Sequence, residues 1–438
     1  MRAALGLAGV MLLAGLGPGP SARAVDATSP DPVRILLVGD SVTQGSSGDW
    51  TWRYRLWRHF VAAGVPVDFV GPRSDLWDNL TDQPGSMAYA DPRFDKDHAA
   101  RWGMQAFVPD VPAGRLVEDH RPDVVVVMLG VNDLLYGASP EAVAGRTVEL
   151  VDEVHAADLE VDVVLAEATQ TWFPGVTEFN DLLDDVASEV DDATGQVVVA
   201  RTAARYASDA DTWDTSHPNA QGEVKIAAAV ADGLSEVGVG PPASRPLPAV
   251  PVGPRSGAEV TAVAGDGFIT LAWTGPPGAT AQLVWGRDVT ADERWHRFPF
   301  PVTGVTWTAR YLTNGHRYRY RLQPMKGDDA PDGAVFSNII TAVPFRPPAA
   351  PSRLRAEPRQ RCTTLTWREP AFATRYTVAR RTPSGWRALG STQRPRFIAE
   401  RLPNVPAWQF RVRAWHRDVA GQAERIRVLR GRSAGSCE

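Results

Sequence analysis

Residues 33–43 read Val33-Arg34-Ile35-Leu36-Leu37-Val38-Gly39-Asp40-Ser41-Val42-Thr43. Apart from Arg34, the first six are aliphatic, which suits a strand buried on both faces, and Gly39-Asp40-Ser41 ends the run abruptly. Working outward, residues 51–63 place Trp52, Leu56, Phe60 and Ala63 at helical spacing. Residues 67–70 are the next strand, and the clearest one is DVVVVML at 123–129. Helix at 141–156, strand at 161–165, helix at 176–190, strand at 197–200 and helix at 220–234 continue the alternation. Strands alternating with helices predict an α/β fold, a doubly wound and mostly parallel sheet. Residues 71–102 break the rhythm, being polar with Pro72, Pro84 and Pro92; a loop that long is functional or an insertion.

Past a Pro/Gly-rich stretch at 239–256, which reads as a semi-rigid linker, the helical period vanishes. Phe268-Ile269-Thr270-Leu271-Ala272-Trp273 and Cys362-Thr363-Thr364-Leu365-Thr366-Trp367 alternate with period two, each ending in Trp. Later in each unit come Leu312, Gly315, Tyr318 and Tyr320, and then Leu402, Trp408, Phe410 and Val412. This internal repeat predicts two all-β, immunoglobulin-like sandwiches, divided at the Pro-rich segment 345–351. Both resemble fibronectin type III domains; the second has Trp408 where the pattern has Tyr, and lacks the Gly.

The N-terminus reads as an address. Arg2 precedes an apolar stretch to about Leu16, then a Gly/Pro break and Ala22-Arg23-Ala24, the three parts of a secretory signal peptide. The apolar stretch is shorter than the ~20 residues of a spanning helix, so we expect a secreted, extracellular chain with no membrane span. The expected division is a signal peptide at 1–24, the α/β domain at 25–238, the linker at 239–256, and sandwiches at 257–345 and 346–438. Export places Cys362 and Cys437 in an oxidising compartment, where we expect a disulfide; two free buried thiols are the alternative.

The net charge of −5 conceals a division between the halves. Residues 25–240 carry 37 acidic and 14 basic side chains, residues 241–438 carry 14 and 30, and the last sandwich alone has 6 and 20. Two functional units with different partners are implied. The basic sandwich is either a soluble spacer or a dock for an anionic polysaccharide or cell-wall polymer. Nucleic acid fits the charge but not the export signal, and no recognition motif is present. Only three of the 46 basic residues are Lys (Lys96, Lys225, Lys326), which we attribute to coding bias.

Three segments carry the chemistry. Gly39-Asp40-Ser41 and Gly130-Val131-Asn132-Asp133 each follow a buried strand, and Asp214-Thr215-Ser216-His217-Pro218-Asn219 precedes the last helix. In such a sheet the carboxyl ends of the strands form the ligand crevice, so all three converge there. A serine hydroxyl needs a base to take its proton and an acid to orient that base. Ser41 is the candidate nucleophile, His217 the base and Asp214 its orienter; the Ser41 N–H and the Asn132 amide are candidate oxyanion donors. Asp40 and Asp133 are expected to hold the strand-end turns. His98 and His155 have no partner at metal-ligand spacing and read as structural.

These blocks resemble those of the GDSL, or SGNH, hydrolases over residues 31–237, a family with a flavodoxin-like sheet. The resemblance implies a further oxyanion donor, Gly103, although Trp102 stands where a small residue is usual. Residues 38–43, 54–57 and 67–71 are most similar to the third carbohydrate-esterase family of acetyl xylan esterases. Its His-Glu-Gly-His-x-Gly run is only partly kept, as His98-Ala99-Ala100-Arg101-Trp102-Gly103. The likeness to that family implies a serine esterase that removes short acyl groups, acetate first, from carbohydrate, with no metal or cofactor. Trp102 and Trp213 flank the site in sequence and are candidate sugar contacts; Trp52 and Trp57 fit the core. The alternatives are a lipase or phospholipase, and an adhesive carbohydrate-binding protein with an inactive hydrolase domain.

Overall fold

The structure, a computed structural model, describes residues 31–190, 195–329 and 333–437. The leader expected over residues 1–24 lies outside the described residues. Among the described residues, no helix is long and apolar enough to cross a membrane.

The α/β region is built on a parallel sheet in the spatial order Val67–Val70, Val33–Gly39, Val124–Met128, Asp162–Ala166, Val197–Ala200. The two-residue strand Ala99–Ala100 pairs with Val38 and Gly39 at the carboxyl end of the first strand. Because side chains alternate along a strand, each one feeds two cores. Ile35, Leu37, Val124 and Val126 face the helices Trp52–Ala63 and Ala220–Glu236, whereas Leu36, Val38, Val125 and Val127 face Ala113–His120, Pro140–Ala157 and Val176–Val190. These eight residues are each at most 4% exposed. At about 1.5–3 kcal/mol per fully buried aliphatic side chain, the central pair of strands anchors both layers.

Chain order reverses between Val33–Gly39 and Val124–Met128, which lie side by side with Gly39 opposite Met128. That switch point opens the crevice into which Ser41 and Asn132 emerge. Helix Trp52–Ala63 starts on a Thr51 hydroxyl that accepts from the Tyr54 N–H at 3.3 Å and stops at Gly64 in the left-handed region. Trp52 is buried at 1% exposure, as its helical spacing requires, and Trp57 is half-buried. Within 71–102 a small hairpin, Leu76–Asp78 with Gln83–Ser86, packs beside the crevice. The stretch 239–256 has no regular element but is not a free tether. Ala243 N–H donates to Asp232 at 2.8 Å and Val250 N–H to Gln221 at 3.1 Å, holding it along the last helix.

Each sandwich pairs a three-stranded with a four-stranded antiparallel sheet. Leu271, Trp273, Tyr320 and Leu322 fill the first core; Leu365, Trp367, Tyr376, Phe410 and Val412 fill the second. In the first, the Tyr318 hydroxyl accepts from the Thr313 N–H at 3.0 Å. In the second, the Trp408 indole donates to the Pro403 carbonyl at 3.0 Å, so an indole takes over the corner bond of the missing tyrosine. Cys362 and Cys437 are joined in a disulfide.

Candidate active site

Ser41 opens a single helical turn, Ser41–Gln44, straight off the first strand, and the Asp40 carboxylate caps it by accepting from the Val42 N–H at 2.9 Å. The strand meets the turn so closely that a Cβ on Gly39 would lie 2.2 Å from the Thr43 hydroxyl. Ser41 is 8% exposed, at the floor of the crevice. Burial pushes the Asp40 carboxyl up to about 6, against the pull of the Val42 N–H and the nearby His217.

Asn132 sits in the turn after Val124–Met128 and ties two blocks together. Its amide donates to Asp40 Oδ2 and to the Met104 carbonyl, each at 3.1 Å. Asp133 accepts from the Ala106 N–H at 2.8 Å and the Phe107 N–H at 3.1 Å, fixing the segment that follows Gly103. Arg101 N–H donates to the Gly39 carbonyl at 3.1 Å and Trp102 N–H to Gln44 Oε1 at 2.7 Å. Gly103, with φ at +72°, is thereby held beside the Ser41 turn. The expected turn-holding roles of Asp40 and Asp133 are what these bonds do.

Asp214 and His217 form a closed loop ahead of the last helix. Asp214 Oδ2 lies 2.7 Å from His217 Nδ1, while Oδ1 accepts from the His217 and Ser216 N–H groups at 2.8 and 3.1 Å. Burial opposes ionisation of Asp214, but the bonds from His217 and Ser216 outweigh it and hold the carboxyl below its ordinary range. A carboxylate on a histidine Nδ1 favours the tautomer in which Nε2 carries the lone pair. The loop is braced from across the crevice, where Gln170 donates to the Ser216 carbonyl at 2.9 Å and the Trp172 indole to the Thr215 carbonyl at 3.0 Å. Asn219 caps the helix by accepting from Gln221 and Gly222 N–H.

Two indoles stack on the imidazole. The Trp102 ring lies with centroids 4.1 Å apart, and the Trp213 ring at 5.5 Å. Trp77, from the hairpin of the polar insertion, stacks on Trp102 at 5.5 Å. Trp102 is half-buried, but Trp213 is only 7% exposed. Trp213 therefore offers little free surface and lies against the imidazole, while Trp102 keeps part of its ring exposed. The Ser41 hydroxyl makes no hydrogen bond among the described residues. Such contacts are often long without substrate and tighten on binding. Two links bring His217 and Ser41 to one crevice: His217 acts on the charge of Asp40, and Trp102 is bonded to the Ser41 turn while stacked on His217.

His98 and His155 are both buried. His98 is held between the Asp75 carbonyl and the Ala100 N–H, with burial and then Arg53 keeping it well below its ordinary pKa. His155 contacts the Val161 carbonyl at 3.2 Å. Among the described residues no group of His, Cys, Asp or Glu is arranged to hold a metal ion. Sequence reasoning missed Gln44, Gln170 and Trp77, each a lone residue with no spacing signal.

Residues 37–224 match the model of the GDSL-like lipase/acylhydrolase family. Among solved structures, a carbohydrate esterase family 3 protein from Talaromyces cellulolyticus is 28% identical, with 47% of this chain and 97% of that one covered at a TM-score of 0.40. An acetyl esterase mutant solved with acetate ion is 27% identical, with the same coverage and a TM-score of 0.41. A two-domain fibronectin type III segment of chicken tenascin is 14% identical, covering 40% of this chain and 98% of that one at a TM-score of 0.24. No curated protein matches. Taken with the sheet and the blocks at its carboxyl edge, the family match makes residues 37–224 a domain of the GDSL-like lipase/acylhydrolase family, an ester hydrolase.

Proposed function

We propose that the protein is a secreted serine esterase that removes acetyl groups from carbohydrate through Ser41, His217 and Asp214. The observation that carries this is the Asp214–His217 pair, 2.7 Å apart at the sheet rim that also holds Ser41. Ser41 Oγ attacks the ester carbonyl as its proton passes to His217 Nε2, and Asp214 stabilises the resulting imidazolium. The developing oxyanion is met by the Ser41 and Gly103 N–H groups and by the Asn132 amide, which exchanges its Met104 contact for it. Collapse breaks the bond to the sugar oxygen, which takes the proton from His217 to depart as the hydroxyl and leaves an acetyl-enzyme. Water, deprotonated by His217, then releases acetate and restores Ser41.

The Trp77–Trp102 stack supports carbohydrate over lipid. It places flat indoles beside the imidazole, a platform for the apolar face of a pyranose, within an insertion of mostly polar residues. Acetate release across a panel of acetylated glycans, with Ser41→Ala as control, tests the reading. A chain-length series of nitrophenyl esters that peaks at long chains would replace it with a lipase. Acetate release by both proteins no faster than without protein would leave the binding-protein alternative, whereas full turnover in Ser41→Ala would remove Ser41 as the nucleophile.

The last sandwich is read as a dock for an anionic wall polymer. On its four-stranded sheet the guanidinium groups of Arg411, Arg425 and Arg381 surround the Trp386 ring at 4.9, 5.6 and 5.8 Å. Burial, and then the charges of Arg413 and Arg425, lower the pKa of Arg411, so an anion there relieves repulsion. Retention of the chain on polygalacturonate that gives way at roughly 1 M salt, where the Debye length falls to about 3 Å, is expected. Retention that survives such salt would count against the assignment.

A further inference from the structure

The turn after strand Tyr318–Met325 of the first sandwich is inserted between two loops of the hydrolase domain. The Lys326 ammonium donates to the Ser46 hydroxyl at 2.7 Å and the Ser47 carbonyl at 3.0 Å, and pairs with Asp49. Its three donors are thus all used, and its side chain is 6% exposed. Asp49 in turn accepts from the Ser46 N–H and hydroxyl at 2.8 and 2.9 Å, and the adjoining Gly45 N–H donates to the Ser41 carbonyl at 2.9 Å. On the opposite side the same ammonium lies 5.0 Å from the centre of the Trp213 ring. Asp328 N–H donates to the Trp213 carbonyl at 2.9 Å, and the Asn219 amide to Asp329 at 3.1 Å. The fit is close: Gly327 is in the left-handed region, and a Cβ there would lie 1.8 Å from the Trp213 carbonyl oxygen.

One turn therefore grips both halves of the site, the segment running back to Ser41 and the segment running forward to Asp214 and His217. We propose that Lys326 is a positioning residue, and that the first sandwich is a working part of the esterase which sets the distance between nucleophile and base. This rests on the Ser41–His217–Asp214 reading above. The choice of residue agrees with it. In a chain that uses Arg for nearly every cation, Lys stands where a compact ammonium fits among three oxygens and a planar guanidinium does not. A sandwich that served only as a tether would need no buried charge in the hydrolase domain.

The test uses the full chain and nitrophenyl acetate, a substrate too small to touch the sandwich. Lys326→Met is expected to lower kcat at least tenfold with KM within about twofold of the parent, because the relation of nucleophile to base changes and ground-state binding does not. Lys326→Cys should show the same loss. Alkylation of its thiol with bromoethylamine, which forms a thioether and restores an ammonium at nearly the length of Lys, should return kcat to within threefold; Cys362 and Cys437, being bonded, do not react. A folded Lys326→Met enzyme with kcat within twofold of the parent overturns the proposal, as does alkylation that fails to restore activity. Should Lys326→Met not fold, Gly327→Ala keeps the charge but displaces the Trp213 carbonyl, and parental kcat there overturns the proposal equally. Ser41→Ala separates the two ideas. An inactive Ser41→Ala beside a fully active Lys326→Met removes the positioning role alone, whereas an active Ser41→Ala removes the catalytic reading beneath it.

Discussion

Trp102 lies flat on the His217 imidazole, with ring centroids 4.1 Å apart and planes 24° apart. The indole shields one face of the base from water and fixes the plane in which its ring turns. A stacked aromatic pair contributes about 0.5–1.5 kcal/mol, equivalent to roughly 2–12-fold in a rate constant. Trp102→Ala is therefore expected to lower kcat/KM on nitrophenyl acetate about 3–10-fold. On an acetylated oligosaccharide the loss should be larger if the Trp77–Trp102 platform holds the sugar as proposed. Steady-state kinetics on both substrates check this; equal losses would reduce Trp102 to a cover for the imidazole.

Removing the proposed nucleophile or the proposed base should be far more severe. Ser41→Ala and His217→Ala are each expected to cost about 10⁴-fold or more in kcat, because members of a triad act as a unit. The melting temperature should move little, as neither side chain fills a core. Asp214→Asn should fall between these and wild type. The amide still accepts from the Ser216 and His217 N–H groups that Asp214 Oδ1 now serves, but it no longer stabilises the imidazolium. Full activity in Asp214→Asn would break the assigned pairing.

What was legible in the sequence was local. The run of aliphatics before Gly39-Asp40-Ser41 announced a buried strand ending in a turn, and the short spacing of Asp214 and His217 announced a pair that closes within its own loop. What was not legible depends on tertiary neighbours. Trp213 stands next to Asp214 in sequence, yet its burial depends on Lys326 and the 326–329 turn, which no periodicity links to it. Nor does the Asn132 motif say that its amide bridges Asp40 and Met104. The one usable signal for Lys326 was the rarity of Lys itself, which composition alone explained as coding bias.

The Cys362–Cys437 bond closes a 75-residue separation within the last sandwich. In the loop-entropy picture that contributes about 4 kcal/mol. Cys362→Ser with Cys437→Ser should lower the melting transition of that sandwich by many degrees while leaving nitrophenyl acetate turnover unchanged, because among the described residues the disulfide shares no contact with the crevice. Calorimetry alongside activity checks both halves. A matching loss of turnover would show that the last sandwich also supports the site.

Stability should rise as the solution is made mildly acidic, and the interface under the first sandwich is the cause. Burial pushes the Glu223 carboxyl up to about 7 from an ordinary value of 4.5, against the pull of Arg55. Burial also pushes Asp329 up to about 6 in the same cluster, against its bond from Asn219. A raised folded-state pKa means the native protein binds protons more tightly than the unfolded chain. Its contribution is fully present below the unfolded value and is lost as pH climbs through the folded one. For Glu223 the window is about pH 4.5 to 7, and the size is on the order of 3 kcal/mol. Asp40, raised to about 6, acts with the same sign, whereas the depressed Asp214 acts oppositely, its contribution falling away only at lower pH. Thermal unfolding at pH 5, 6, 7 and 8 should show a melting temperature that falls toward pH 8. Glu223→Gln keeps an acceptor for the Thr51 N–H, now bonded at 2.7 Å, but does not titrate. Its curve should be flatter between pH 5 and 7, whatever its absolute stability, and a slope identical to that of the parent would place the acid-stabilised group elsewhere.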